Sequence, residues 1–266
     1  MGTSHSWNET TLTSEAESLR VLAELRGKRW LCRGQSKSYG GLVPSIDRQG
    51  RDRLSRLKKL SLERQSIDIF QATARSFASV GEALALKDDI VALIVLRHYG
   101  VPTRLLDWSK SPYVAAYFAA SDPDTEDGEI WSFNEPLYEE EGKKQWQKWP
   151  ETTSDGTGNH DKFDPTLTAF ALDDPPDWII CGFYPPSFPR QDAQQGVYTI
   201  TARFGRDHAD SLANIFDDNA HYHRYVVSAR LKPKLRRLLR EKHGIWRGSL
   251  FPDAAGAADT AHKVFD

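Results

Sequence analysis

Two neighbouring runs constrain this chain more than anything else in it. In "DDIVALIVLRH" the seven consecutive positions from Ile90 to Leu96 are apolar. Read as a helix over Asp88 to His98, that run has no face to offer water, so it has to be enclosed. Soon after comes "SPYVAAYFAA", where Ser111 can cap a helix and Pro112 suits its first turn. Ala115, Ala116, Ala119 and Ala120 let that second helix approach its neighbours closely. Gly100 and Pro102 end the first helix. Between the two lies a stretch that concentrates Arg97, His98, Tyr99, Arg104, Asp107, Trp108 and Ser109. A core does not need that polar density, so the stretch reads as a site framed by two buried helices.

The rest of the composition is consistent with a core large enough to enclose them. Eight Trp, nine Tyr and twelve Phe supply apolar volume and argue against wholesale disorder. The net charge of −2 makes the chain as a whole no electrostatic binder of nucleic acid, although a local patch remains open. Cys32 and Cys181 form no CxxC and no Cys/His cluster, so neither a zinc site nor a disulfide framework is expected. Reduced thiols, no signal-type N-terminus and no apolar run of ~20 residues lead to the expectation of a cytoplasmic protein away from membranes. GxSxG, P-loop, GxGxxG and HExxH motifs do not occur, which removes the most recognisable hydrolases, Walker NTPases and zinc proteases.

Periodicity then places the elements. Residues 1–29 read as a lead-in containing a helix over Thr13 to Leu25, with Ser14 as a cap. Trp30 to Cys32 read as a short strand that stops at Arg33–Gly34. Leu54, Leu57 and Leu60 keep helical spacing in a strongly basic segment, and Phe70 to Ala85 reads as a further helix. "GEIWSF", "DWIICGFYP", "QQGVYTITARF" and "YHRYVVSA" read as strands, and Lys234 to His243 as a last helix. Residues 135–174 are polar and weakly patterned, and are expected to be an irregular insertion. Strands and helices do not alternate regularly, which favours α+β: one domain over 1–266, with early helices on a mostly antiparallel sheet that a split can interrupt.

Several residues then stand out for chemistry. Arg33 at a strand end can aim its guanidinium into a cleft, while Gly34 lets a ligand near the backbone; a surface arginine beside a turn glycine is the alternative. Asp107 and Ser109 just before a helix start lie where backbone N–H groups and the helix dipole favour an anion. Arg104 adds a donor fork and Trp108 a stacking face. Asp107 paired with Arg104 or Arg97, and Ser111 merely capping, is the structural alternative. Arg190, Gln194 and Gln195 precede a strand, where they can read a ligand or satisfy backbone. His221 and His223 lack partners at metal spacing, so no metal is expected. Arg230 to Lys242 holds seven Lys/Arg against one Glu around a leucine stripe, which reads as a core-packed helix with a solvated basic face.

Four blocks, "WLCRGQSKSYGGLVPSIDR", "HYGVPTRLLDWSKSPYVAAYFA", "RQDAQQGVYTI" and "HGIWRGSLFPDAAG", resemble the FRG domain family in that order, from Trp30 to Gly256. The Phe–Arg–Gly of the family's name stands here as Cys32–Arg33–Gly34. The blocks further resemble the ADP-ribosyltransferase scheme. There a strand-borne arginine contacts the nicotinamide dinucleotide, a Ser/Thr segment leads into a V-A-x-x-F helix, and a late strand brings an acid. The resemblance implies catalytic roles for Arg33, Ser109 and Gln195, with Gly34, His98, Tyr99, Arg104, Asp107, Trp108, Arg190 and Gln194 around NAD as substrate. At the third position "QQGVY" offers glutamines and no glutamate. The implied function is an NAD-consuming transferase or effector, of toxin or phage-defence type, acting on a nucleic-acid or protein target. A nucleotide- or nucleic-acid-binding module without catalysis, and an interaction protein whose motifs are purely structural, are the other classes.

Overall fold

A computed structural model describes residues 7–48, 50–76, 83–146, 170, 177, 179–182, 189–216, 218–253, 256–258 and 261. Its centre is one open seven-stranded sheet: β1 (Asn8–Leu12), β2 (Leu31–Gln35), β3 (Leu105–Ser109), β4 (Gly128–Phe133), β5 (Ile179–Cys181), β6 (Gly196–Thr201) and β7 (Tyr222–Val227). The order is β1-β7-β4-β2-β3-β6-β5. β1 runs parallel to β7 and every other pair is antiparallel. The architecture is mixed, with a mostly antiparallel sheet as expected. The early-helix, late-sheet division is not seen, because the first strand pairs with the last.

The helices are α1 (Glu15–Lys28), α2 (Arg56–Ala74), α3 (Asp89–His98), α4 (Pro112–Ala119), α5 (Glu135–Trp146), α6 (Pro189–Gln194), α7 (His208–Ala213), α8 (Lys232–His243) and α9 (Arg247–Leu250). Local chemistry sets several of their starts. Ser14, Asp88 and Ser111 accept from the backbone N–H groups of Glu17, Val91 and Val114, the N-cap geometry expected of Ser14 and Ser111; Asp88 caps α3 rather than beginning it. α5 occupies the start of the expected insertion; most of the remainder lies outside the described residues, as does much of the strand expected at "DWIICGFYP". α2 corrects the leucine reading. Leu57 is exposed, and the buried positions are Lys59, Glu63, Ile67 and Ala74. Lys59 meets Asp47 at 2.6 Å and Glu63 meets Arg104, so this helix turns a charged stripe inward.

Alternation along the strands sorts the core into two faces. Cys32 pairs with Ser109, so Cys32, Gly34, Leu105, Asp107 and Ser109 share one face. On that face one apolar cluster gathers Leu22 and Leu25 of α1, Ala115 and Ala119 of α4, and Leu235 and Leu239 of α8. A second cluster on the same face joins Ile90 to Leu96 of α3 to Leu105, Tyr198 and Ile200. The opposite face carries Trp108, Trp131 and Phe133 beneath Leu212 of α7 and Tyr138 of α5. Burying each such Leu or Phe side chain contributes about 1.5–3 kcal/mol. The two clusters on the first face are separate, and the junction between them falls at β2 and β3.

That junction is also where the sheet opens. β2 pairs with β4 at five positions, from Leu31 to Gln35, and β3 pairs with β6 at five, from Leu105 to Ser109. Between β2 and β3 there is one paired position, Cys32 with Ser109. Beyond it the strands splay, which leaves backbone polar groups in need of other partners.

Candidate active-site cleft

The cleft lies in this splay, with a volume of about 420 Å³. Arg33 and Gly34 border it from β2, Asp107 and Ser109 from β3. The α3 end adds Arg97 and His98, while α6 adds Arg190 and Gln194. Tyr39, Arg48, Trp108, Phe118 and Tyr198 add further charged and aromatic lining. Arg33 is an interior strand residue rather than the strand end expected from sequence. By alternation its side chain starts on the face opposite Asp107, yet its Nη1 donates to the Asp107 carbonyl at 2.6 Å. The arginine thus replaces, across the gap, a ladder bond that the splayed strands cannot make. Arg33 is 8% exposed and its Nε has no hydrogen-bond partner among the described residues. Burial lowers its pKa to about 10, with Asp107 opposing that shift, so it stays charged at neutral pH.

Asp107 is the carboxylate of the cleft. It sits inside β3 rather than ahead of a helix, and its side chain is 45% exposed. Arg97 donates to Oδ2 from Nε at 3.0 Å and from Nη2 at 2.7 Å, and Arg33 Nη1 lies 3.7 Å from the same oxygen. Burial raises the Asp107 pKa, but Arg97 and Arg33 outweigh it and hold the carboxyl below its ordinary range. The same pairing raises the Arg97 pKa, against the pull of burial. Tyr198 lies directly opposite Asp107 on β6; burial and the Asp107 charge push its hydroxyl pKa up, so it remains a neutral donor.

Two more arginines face the cleft with few constraints. Arg48 donates from Nε to the Val43 carbonyl and lies 4.0 Å over the Tyr39 ring. Arg190 donates to the His98 carbonyl at 3.3 Å and lies over Phe251. Burial lowers the pKa of both. Four guanidinium groups against one carboxylate give the cleft an excess of positive charge, the electrostatics that suit an anionic group of more than one charge. Among the described residues no cluster of three or more His, Cys, Asp or Glu side chains is suited to a metal ion.

Other expected site residues are placed differently. Arg104 is outside the cleft and fully buried, with Nε 2.7 Å and Nη2 2.6 Å from Glu63 Oε2 and Phe204 at 4.0 Å. Its backbone N–H also donates to Glu63 Oε1 at 2.9 Å. Trp108 borders the cleft, but its indole N–H donates to Thr199 Oγ1 at 2.9 Å and its ring meets Phe133 edge-on, so it offers no stacking face. Tyr99 is 66% exposed and does not border the cleft. Ser109 does, but its hydroxyl donates to the Gln194 carbonyl at 2.7 Å and accepts from the Ser111 N–H at 3.0 Å. Gln194 Nε2 is held by the Leu250 carbonyl. Gln195 is exposed at φ +48° outside the lining, where its carbonyl accepts from the Lys110 N–H.

Gly34 is explained by packing. A Cβ there would lie 1.9 Å from the Ala115 carbonyl oxygen, so it is α4 that needs the bare backbone. Of the histidine pair, His221 sits in a 3₁₀ turn and His223 bonds to Thr10. Arg48, Tyr39 and Tyr198 escaped sequence reading. Tyr198 carried one usable signal, its alternation with apolar Val197 in β6; the other two depend on a loop path that periodicity does not describe.

The FRG domain matches residues 28–128. That segment runs from the last residue of α1 through β2 and α4 into the first residue of β4, and so contains Arg33, Arg48, Arg97, Asp107 and Ser109 together. The later blocks, "RQDAQQGVYTI" and "HGIWRGSLFPDAAG", lie beyond the matched part. Comparison with curated proteins and with solved structures gave no match. No helix among the described residues is long and apolar enough to cross a membrane.

Proposed function

We propose that the cleft binds NAD as a substrate and that the chain is an NAD-consuming enzyme of the ADP-ribosyltransferase type, serving as an effector against a nucleic-acid or protein target. The observation that carries this reading is the convergence of Arg33, Arg48, Arg97 and Arg190 on one cleft of small-ligand size. A pyrophosphate matches that charge, and the guanidinium fork matches its oxygens. The strand order adds support: β2, β3 and β6, which lie in the first three of the four blocks of the resemblance, are consecutive in the sheet. Tyr39, Tyr198 and His98 supply flat and hydrogen-bonding groups for the bases and riboses. Incubation with NAD tests the reading directly: nicotinamide should be released, and NAD should raise the melting temperature of the protein.

A second reading has one specific observation in its favour. The start of β6 offers Gln194 and Gln195, and neither presents a carboxylate to the cleft. On that reading the cleft binds a nucleotide without turning it over. A thermal shift with NAD in the absence of nicotinamide release would select it.

A further inference from the structure

The β6 start carries no acid, yet a nucleotide cleft that breaks a glycosidic bond has to face positive charge with something. Cleavage of the bond between ribose C1′ and the nicotinamide nitrogen sends the bonding pair to the pyridinium ring, which leaves as neutral nicotinamide. Positive charge then develops on the C1′–O4′ unit of the sugar. In glycoside hydrolysis an adjacent carboxylate meets that charge. We infer that Asp107 of β3 is the catalytic carboxylate of this cleft, supplied from the strand beside Arg33 instead of from the β6 start. The inference rests on the NAD-consuming reading above.

Three features of the geometry carry it. Asp107 is the acidic residue among those bordering the cleft, and close to half of its side chain remains open to it. The Arg97 bonds and the Arg33 approach all fall on Oδ2, while no side chain among the described residues bonds to Oδ1; the carboxylate is supported otherwise by its own backbone N–H. One oxygen therefore anchors the group and the other is left to face a ligand. The residues at the β6 start, in contrast, are committed to structure: Gln194 holds Leu250 and receives Ser109, and Gln195 lies outside. Arg97 and Arg33 keep Asp107 ionised at neutral pH, which suits a charge stabiliser better than a proton acceptor. Water adds to C1′ as nicotinamide departs, forming the new C–O bond and losing one proton to solvent; the products are ADP-ribose, nicotinamide and H⁺.

Asp107→Asn keeps the shape and removes the charge. Because the carboxylate is the negative member of an arginine cluster, the variant should bind NAD as tightly as the wild type or more tightly. Its kcat for nicotinamide release should fall by about 100-fold or more, the scale of losing one preorganised electrostatic group. Melting curves establish that the variant is folded. If it is not, Asp107→Glu, which retains the charge on a longer stem, should keep binding and recover part of kcat. An active Asp107→Asn protein, or one whose binding falls in step with its kcat, overturns the inference and leaves the NAD-consuming reading standing. A wild-type chain that releases no nicotinamide overturns both.

Discussion

Arg104 and Arg33 are both buried arginines, one motif and one strand apart, and they have opposite fates. Arg104 is closed off: Glu63 meets its guanidinium and its backbone N–H, Ala202 accepts another bond, and Phe204 and Phe170 cover its faces. Arg33 has a carbonyl at 2.6 Å, a shared carboxylate at 3.7 Å and an Nε with no partner among the described residues, beside a cleft. A buried charge met by its own carboxylate and closed off from any cavity holds the fold together and is out of reach of a ligand. A buried charge that is only partly matched retains binding capacity at the position where it borders a cavity. Arg104 is thus a charge enclosed by the fold, and Arg33 a charge that borders a cavity.

The largest effect should come from the closed side. Glu63→Ala leaves Arg104 buried and unmatched and should cost about 3–5 kcal/mol, read as a large fall in melting temperature. Replacing both members by Leu and Met should recover much of that loss. If the double variant is no more stable than Glu63→Ala, the pair does something beyond matching charge.

The next effect concerns His208, fully buried behind Trp108 and Thr199, where burial and then Arg33 lower its pKa to about 3. The unfolded chain takes up this proton near pH 6.5. The folded chain takes it up only near pH 3, so the contribution is complete above pH 6.5 and is lost as pH falls toward 3. The total is on the order of 5 kcal/mol. Melting temperatures between pH 7 and pH 4 should fall less steeply for His208→Gln than for the wild type. Equal slopes would mean that another group dominates the acid limb.

On the open side, Arg33→Lys loses the donor fork while keeping the charge. Affinity for NAD should drop roughly ten- to a hundredfold, from charge-assisted bonds of about 1.5–3 kcal/mol each. The loss in melting temperature should stay well below that of Glu63→Ala. Calorimetry with NAD and with short nucleic acids, on both proteins, checks it. A destabilised Arg33→Lys protein with unchanged affinity would erase the distinction between the two arginines. The smallest effect is a control: Arg20 and Glu24 pair at 2.7 Å on the exposed side of α1, and Arg20→Ala should change stability by only about 0.3–0.5 kcal/mol.

The contrast also marks how far the sequence was legible. Arg104 and Asp107 stand three residues apart in "TRLLDW", and nothing in that string says that one faces Glu63 of α2 and the other the cleft. β3 itself was hidden, because its alternation mixes Leu105, Asp107 and Ser109 on one face. The stripe of α2 was misread for the same reason: its buried positions include Lys59 and Glu63, which apolar periodicity cannot register.

What the sequence determined by itself is local. The continuous apolar run of α3, the Ser14 and Ser111 caps, the small-residue face of α4 and the strands "GEIWSF" and "YHRYVV" follow from spacing and from side chains that satisfy neighbouring backbone. Tertiary structure decided the rest: that β2 and β3 share one paired position and then part, that α4 approaches Gly34 closely enough to exclude a Cβ, and that Arg33 crosses the gap to Asp107. Capping and periodicity are settled within a few residues along the chain. Strand pairing and charge matching depend on groups tens of residues away, and their energies exist only once the sheet has assembled.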